Sequence, residues 1–181
     1  MRLGLICAAM GMVLSLSSVG PVAADLVFDS GHSTFDDTYP LTHEVWVINN
    51  AILDVIGGEI VKLGTGDFAT VNLHSGAVEW LRTGERRLDE SVVNIWGGDI
   101  KWLAVYKDTV VNLYAYDVQF HPTGGGEWGT AKWIEGIYYS NNEPFTLLLY
   151  NDEAYSHVNI IPEPATLLFV GFGGILLRKR G

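Results

Sequence analysis

The sequence predicts an all-β protein: a short parallel β-helix, or solenoid, with a C-terminal β-hairpin cap, flanked by an N-terminal signal helix and a short C-terminal apolar helix. Three observations carry that prediction. An eleven-residue pattern recurs at residues 53–63, 71–81, 93–103 and 111–121, with its starts spaced by 18, 22 and 18 residues. Its order is apolar, Asn or Asp, apolar, any, Gly or small, Gly, any, apolar, any, any, Leu. Within each unit apolar and polar residues alternate, as a half-buried strand requires, and no stretch of the body has convincing helical periodicity.

Each unit reads as strand, corner and strand. The glycines supply a corner where φ can be positive, and a second short strand follows. Identical phase in successive units is what parallel stacking needs, whereas an antiparallel sandwich or meander, the rival fold, does not need it. Stacking at about 4.8 Å per coil would bring equivalent positions into vertical columns. Leu53, Val71, Val93 and Val111 would form one inward column. Val55, Leu73, Ile95 and Leu113 would form a second, and Ile60, Val78, Ile100 and Val118 a third. Beside the first, Asp54, Asn72, Asn94 and Asn112 would form a ladder whose side chains hydrogen-bond along the axis.

Outside the repeat, residues 44–49 suit an earlier strand and residues 158–160 resemble the repeat's opening. Residues 130–139 and 145–150 are aromatic-rich strands joined by the turn-forming stretch Ser140-Asn141-Asn142-Glu143-Pro144. The resulting hairpin would cover strand edges left open at the end of the solenoid. Gly124, Gly125 and Gly126 precede no helix and read as a connector, not a phosphate cradle. Arg82, Arg86 and Arg87 fall in the longer interval and read as a protruding loop.

The two ends carry addresses. Arg2, an apolar run over residues 3–16, and small residues ending at Ala23 and Ala24 have the layout of a secretory signal peptide cut by signal peptidase. Its run is shorter than the roughly 20 residues of a spanning helix, and Cys7 lies too early for a lipoprotein signal. The organisation expected is a signal peptide over 1–24, the solenoid body over 25–160 and a sorting segment over 161–181. Since Cys7 is the only cysteine and precedes the body, no disulfide can support the fold. Residues 25–161 hold 7 Lys and Arg against 20 Asp and Glu, a net charge near −13. Such a surface repels nucleic acid and anionic headgroups and favours Ca²⁺, cationic partners or neutral glycans.

At the other end Pro162-Glu163-Pro164 is followed by apolar residues 165–177 and then by Arg178, Lys179 and Arg180. Thirteen residues of helix reach about 20 Å, less than a hydrocarbon core of about 30 Å. The basic cluster would stay on the cytoplasmic side, giving a transient anchor. This order, with Gly171, Gly173 and Gly174 inside the apolar run, resembles the PEP-CTERM sorting signal. The resemblance covers about the last twenty residues. It implies recognition by an exosortase in the inner membrane of a Gram-negative bacterium that makes exopolysaccharide, processing near Pro162 to Pro164, and delivery to the cell surface or extracellular matrix. It implies nothing about the body.

Two constellations in the body could carry chemistry. Asp99 and Asp117 share the seventh repeat position, and one coil apart they could share a calcium ion or serve a glycan lyase, although Ala77 interrupts that column. The second is aromatic. His74, Trp96 and Tyr114 share the fourth position, while Trp80, Trp102 and Phe120 share the tenth. Regularly stacked rings can hold sugars, so Trp80, Trp96, Trp102 and Tyr114 are candidate glycan contacts. The five histidines have no zinc-site spacing, and the stretch Asp29-Ser30-Gly31-His32-Ser33, with Ser33 beside His32, reads as a capping loop, not part of a triad. The expectation is a non-enzymatic surface or matrix component without a cofactor, with a glycan-binding or glycan-processing module as the alternative.

Overall fold

A computed structural model describes residues 25–84, 90–122, 132–150 and 154–162. Both predicted flanking helices, the Gly124–126 connector, Arg86, Arg87, and Glu163, Pro164, Arg178, Lys179 and Arg180 of the expected sorting segment lie outside these residues. Pro162 is the last described position and is exposed. Among the described residues no helix is long and apolar enough to cross a membrane.

Of the described residues 68% are strand, and the stacked parallel strands form a β-solenoid of about four turns. The strands are β1 (Asp25–Phe28), β2 (His32–Phe35), β3 (Thr42–Val47), β4 (Ile52–Thr65), β5 (Thr70–Thr83), β6 (Val92–Ile95), β7 (Asp99–Val105), β8 (Val110–His121), β9 (Lys132–Tyr138), β10 (Pro144–Leu149) and β11 (Val158–Ile161). A single 3₁₀ turn, Ala154–His157, precedes β11. Two faces result. The first stacks β2, the leading half of β4, the leading half of β5, β6, the leading half of β8, and β11, all parallel. The second begins β1, β3, trailing β4, trailing β5 and β7, also parallel.

Register follows the repeat. Leu53, Val71, Val93 and Val111 are successive rung partners, and β11 adds Val158 above them. Val55, Leu73, Ile95 and Leu113 form the second column, topped by Ile160. The first four members of each column are essentially inaccessible to water. Fully burying a Val or Leu contributes about 1.5–3 kcal/mol, so these two columns are the main driving force for stacking. The far corner is closed by small residues, Ala51, Ala69, Ser91 and Thr109, all buried. There the hydroxyls satisfy one another: Ser91 lies 2.8 Å from Thr65 and 3.2 Å from Thr109.

The third column departs from expectation at its last member. Ile60, Val78 and Ile100 align, but Val118 does not join them, because β8 does not pair with β7. The cause lies at the corner. Gly58, Gly76 and Gly98 turn the chain with φ of +81°, +97° and +100°. A Cβ at Gly76 would lie 2.8 Å from the Gly57 carbonyl oxygen. The fourth unit has Tyr116 at that position, and a residue with a side chain cannot readily take such a φ. The left-handed residue is instead Asp117, at φ +51°, and the pairing of β8 breaks between Tyr116 and Gln119.

The gap that opens is filled by the predicted hairpin. β10 stacks parallel on β7, and β9 runs antiparallel to both β10 and the trailing half of β8. So the hairpin covers the edge of β7, and it does so from within the sheet, wedged between β7 and β8. Arg82, expected in a loop, lies in β5 opposite Ala104.

Candidate glycan-binding face

The outer surface of the first face is organised by its amide ladder. Asn72 Nδ2 donates to Asp54 Oδ1, Asn94 to Asn72 and Asn112 to Asn94, each at 2.8 Å, and Asn159 reaches Asn112 at 3.3 Å. At the lower end His32 Nε2 lies 2.8 Å from Asp54 Oδ2. The Asn72 amide, helped by His32 and opposed by burial, holds the Asp54 carboxyl below the usual carboxylate range. Each rung is thereby tied to the next by a side chain as well as by its backbone.

Two residues along, the fourth repeat position places rings on this fixed scaffold. His74 and Trp96 are nearly parallel, with centroids 6.1 Å apart and planes 9° apart. Trp96 and Tyr114 stack at 3.4 Å and 12°. Trp96 and Tyr114 thus lean together more closely than the rungs beneath them, which lie about 4.8 Å apart, while His74 stands farther from Trp96. His74 is exposed, and Trp96 and Tyr114 are half-buried. Ile56 lies below the stack, exposed, and Ile161 pairs beside Tyr114 above it. The result is an outward aromatic stripe along the solenoid axis, in which the rings stack on one another and turn their edges outward.

The tenth-position series behaves differently. Trp80 and Trp102 stack at 5.3 Å on the second face, but Tyr150 packs edge-on against Trp80 at 5.4 Å. Trp102 is only 4% exposed, so it offers no platform to a sugar. Phe120 belongs to another cluster, stacked on Tyr155 at 3.7 Å, because trailing β8 is displaced by the hairpin. Farther down this face Trp46 lies against Gly64, donates to Glu44 at 2.7 Å and sits under Lys62 at 4.8 Å from its ring centroid. On this second face Trp102 is buried, and the half-buried Trp80 and Trp46 are covered in part by Tyr150 and Lys62.

The Asp99 and Asp117 pairing fails for the same topological reason. β10 and β9 intervene between β7 and β8, which at about 4.8 Å per strand is near 14 Å, too far for one cation to be shared. Among the described residues no three His, Cys, Asp or Glu side chains gather in a form that could hold a metal.

A feature invisible to the repeat lies where the hairpin tip meets the glycine corners. A cleft of about 440 Å³ opens between Gly76, Gly98 and Asp99 on one side and Tyr138, Asn141 and Glu143 on the other. The tip is fastened to the aromatic stripe. Ser140 Oγ donates to the Trp96 carbonyl at 2.5 Å, the Tyr139 amide to the Tyr114 carbonyl at 3.3 Å, and Tyr116 Oη to Asn142 at 3.2 Å. Stripe and cleft are thus adjoining parts of one surface. The turn residues are legible as a turn, but nothing in the sequence says where a hairpin tip will land.

The chain matches no protein-family model, no curated protein and no solved structure. Its role must be read from its own residues.

Proposed function

We propose that this chain is an exported cell-surface or matrix protein whose body is a non-enzymatic module that holds an extended glycan against the His74, Trp96 and Tyr114 stripe. The carrying observation is that stack of rings, aligned with the solenoid axis beside a hydrogen-bonded amide ladder. Sugar rings present apolar CH faces, and rings preorganised by the scaffold contact them with little loss of side-chain freedom. The acidic body disfavours anionic lipid and nucleic acid as the partner of this surface. Delivery rests on the signal peptide and on the resemblance of the last twenty residues to the PEP-CTERM signal, with an exosortase and signal peptidase as partners in export.

Binding to purified exopolysaccharide tests the reading. Trp96→Ala and Tyr114→Ala are each expected to weaken binding about tenfold, the worth of one lost stacking contact. Trp102→Ala, which alters a covered ring, should leave affinity unchanged where the fold is retained. Equal binding by wild type and Trp96→Ala would sink the proposal. Export has its own test: changing Pro162, Glu163 and Pro164 together to alanine should retain the protein in the inner membrane fraction.

A further inference from the structure

The first face begins and ends on a strand with one bare edge. β2 pairs with β4 and β11 with β8, and among the described residues nothing pairs with the other side of either. The two bare edges match in phase. The Ile52 amide donates to the Gly31 carbonyl, so by the alternation of a strand Ser33 and Phe35 also turn their backbone groups toward β4, while His32 and Thr34 turn theirs away. At the other end the Val110 amide donates to the Ser91 carbonyl, so Val111 and Leu113 face β11. The β11 residues that bond back are then Asn159 and Ile161, and Val158 and Ile160 turn their backbone groups outward.

A second copy moved along the axis would complete these groups. Its Thr34 amide would meet the Val158 carbonyl, and its Thr34 carbonyl the Ile160 amide. In that register Ser33 and Phe35 continue the core columns that end on Val158 and Ile160, and Thr34 continues the amide column that ends on Asn159. Ile160 tops a core column yet is 38% exposed, as an unfinished stack would leave it. Neither strand carries Lys, Pro or a bulge, the usual protections of an edge. In a chain of net charge −10, these edges, with no Asp or Glu, are where a second copy meets least repulsion. The second face runs in a compatible sense, because the hairpin inserts two strands and trailing β8 ends parallel to β1. We infer that the chain assembles head to tail, the β11 edge of one copy pairing in parallel with the β2 edge of the next. Such a contact is heterologous and does not close on itself, so it makes filaments. The inserted hairpin makes the second face two strands, about 10 Å, taller, so each copy tilts on the last and the filament bends toward the first face. This goes beyond the glycan reading and does not depend on it.

Sedimentation velocity and electron microscopy of the full chain over a concentration series reaching about 1 mM test the inference. Wild type should form curved filaments. Thr34→Pro removes an amide that faces the second copy and spares those that face β4; Ile160→Pro does the same on β11. Each alone should be monomeric, with the dissociation constant raised about tenfold or more. Mixed in equal amounts they should form a heterodimer and nothing longer, because one sound edge of each kind remains. Where a proline alters the circular dichroism, Thr34→Lys and Asn159→Lys, at exposed positions of the same strands, replace it. A wild type that stays monomeric, filaments that Thr34→Pro retains, or a dimer formed by either variant alone would overturn head-to-tail assembly. Trp96→Ala should assemble as wild type does while losing glycan affinity, so the failure of one reading leaves the other standing.

Discussion

The two faces of the solenoid are made from the same repeat and end differently. On the first, six strands keep one register from β2 to β11, with an amide ladder along the outside. On the second, register holds through β7, and then a hairpin is inserted before the trailing half of β8. The first face asks only for alternation and an Asn or Asp. Continuation of the second also needs a backbone that can turn at φ near +100°, which Gly98 allows and Tyr116 does not. A single corner position thus decides whether a coil repeats or yields its place to another element.

Substituting at the corner should break this contrast most sharply. Gly76→Val combines a strained φ of +97° with a Cβ 2.8 Å from backbone oxygen that cannot move aside. It should cost about 3 kcal/mol or more, read as a lower denaturant midpoint or loss of the cooperative transition. Tyr116→Gly, at the equivalent position of the coil that does not use it, should cost only about 1 kcal/mol for its lost ring contact and hydrogen bond. Next in size is the core. Leu73→Ala, in a fully buried column, should cost about 3 kcal/mol by the same measurement, and Val118→Ala, half-buried and outside its expected column, about 1 kcal/mol.

The ladder should show smaller effects graded by position. Asn94→Ala breaks two amide hydrogen bonds and should cost about 1–2 kcal/mol, whereas Asn159→Ala breaks one bond at the exposed end and should cost about 0.5 kcal/mol. Acid gives the gentlest probe. Asp54 anchors the first face and Glu44, held low chiefly by its hydrogen bond to Lys62, anchors the second. A carboxyl held below its unfolded value stabilises the fold above that value, near pH 4, and the contribution disappears as pH falls through the folded value. Stability should therefore fall on acidification below about pH 4, and Asp54→Asn should show a shallower decline in acid titrations followed by circular dichroism.

The contrast also explains how much of the molecule is legible in its sequence. The vertical columns, the Asn ladder, the hairpin and the final strand are all legible, because each depends on which side chains recur at which spacing. Val118, Phe120 and Asp117 lie elsewhere than the pattern implies, because the pattern allows one position to vary that the backbone does not, and Arg82 does so because β5 runs on to Thr83. Tyr116 in the glycine column is the visible warning. Exposure of the aromatic series is not legible: Trp96 and Trp102 occupy equally regular columns, and only Tyr150 packing on Trp80, from a hairpin far along the chain, sets the second apart. The cleft is beyond reach for the same reason, since Tyr138 and Glu143 meet Asp99 only through the landing of that hairpin.

β11 carries a mechanical consequence. It is the last strand before Pro162, and all four of its residues pair in parallel with Val111 to Tyr114 of β8, more than forty positions back along the chain. A tether attached beyond Pro162 and pulled along the strand would load those rung bonds together in shear, with Asn159 gripping Asn112 as an added catch. Tension from outside would thus enter the stack at its most regular face, and not through a loop that could simply slacken.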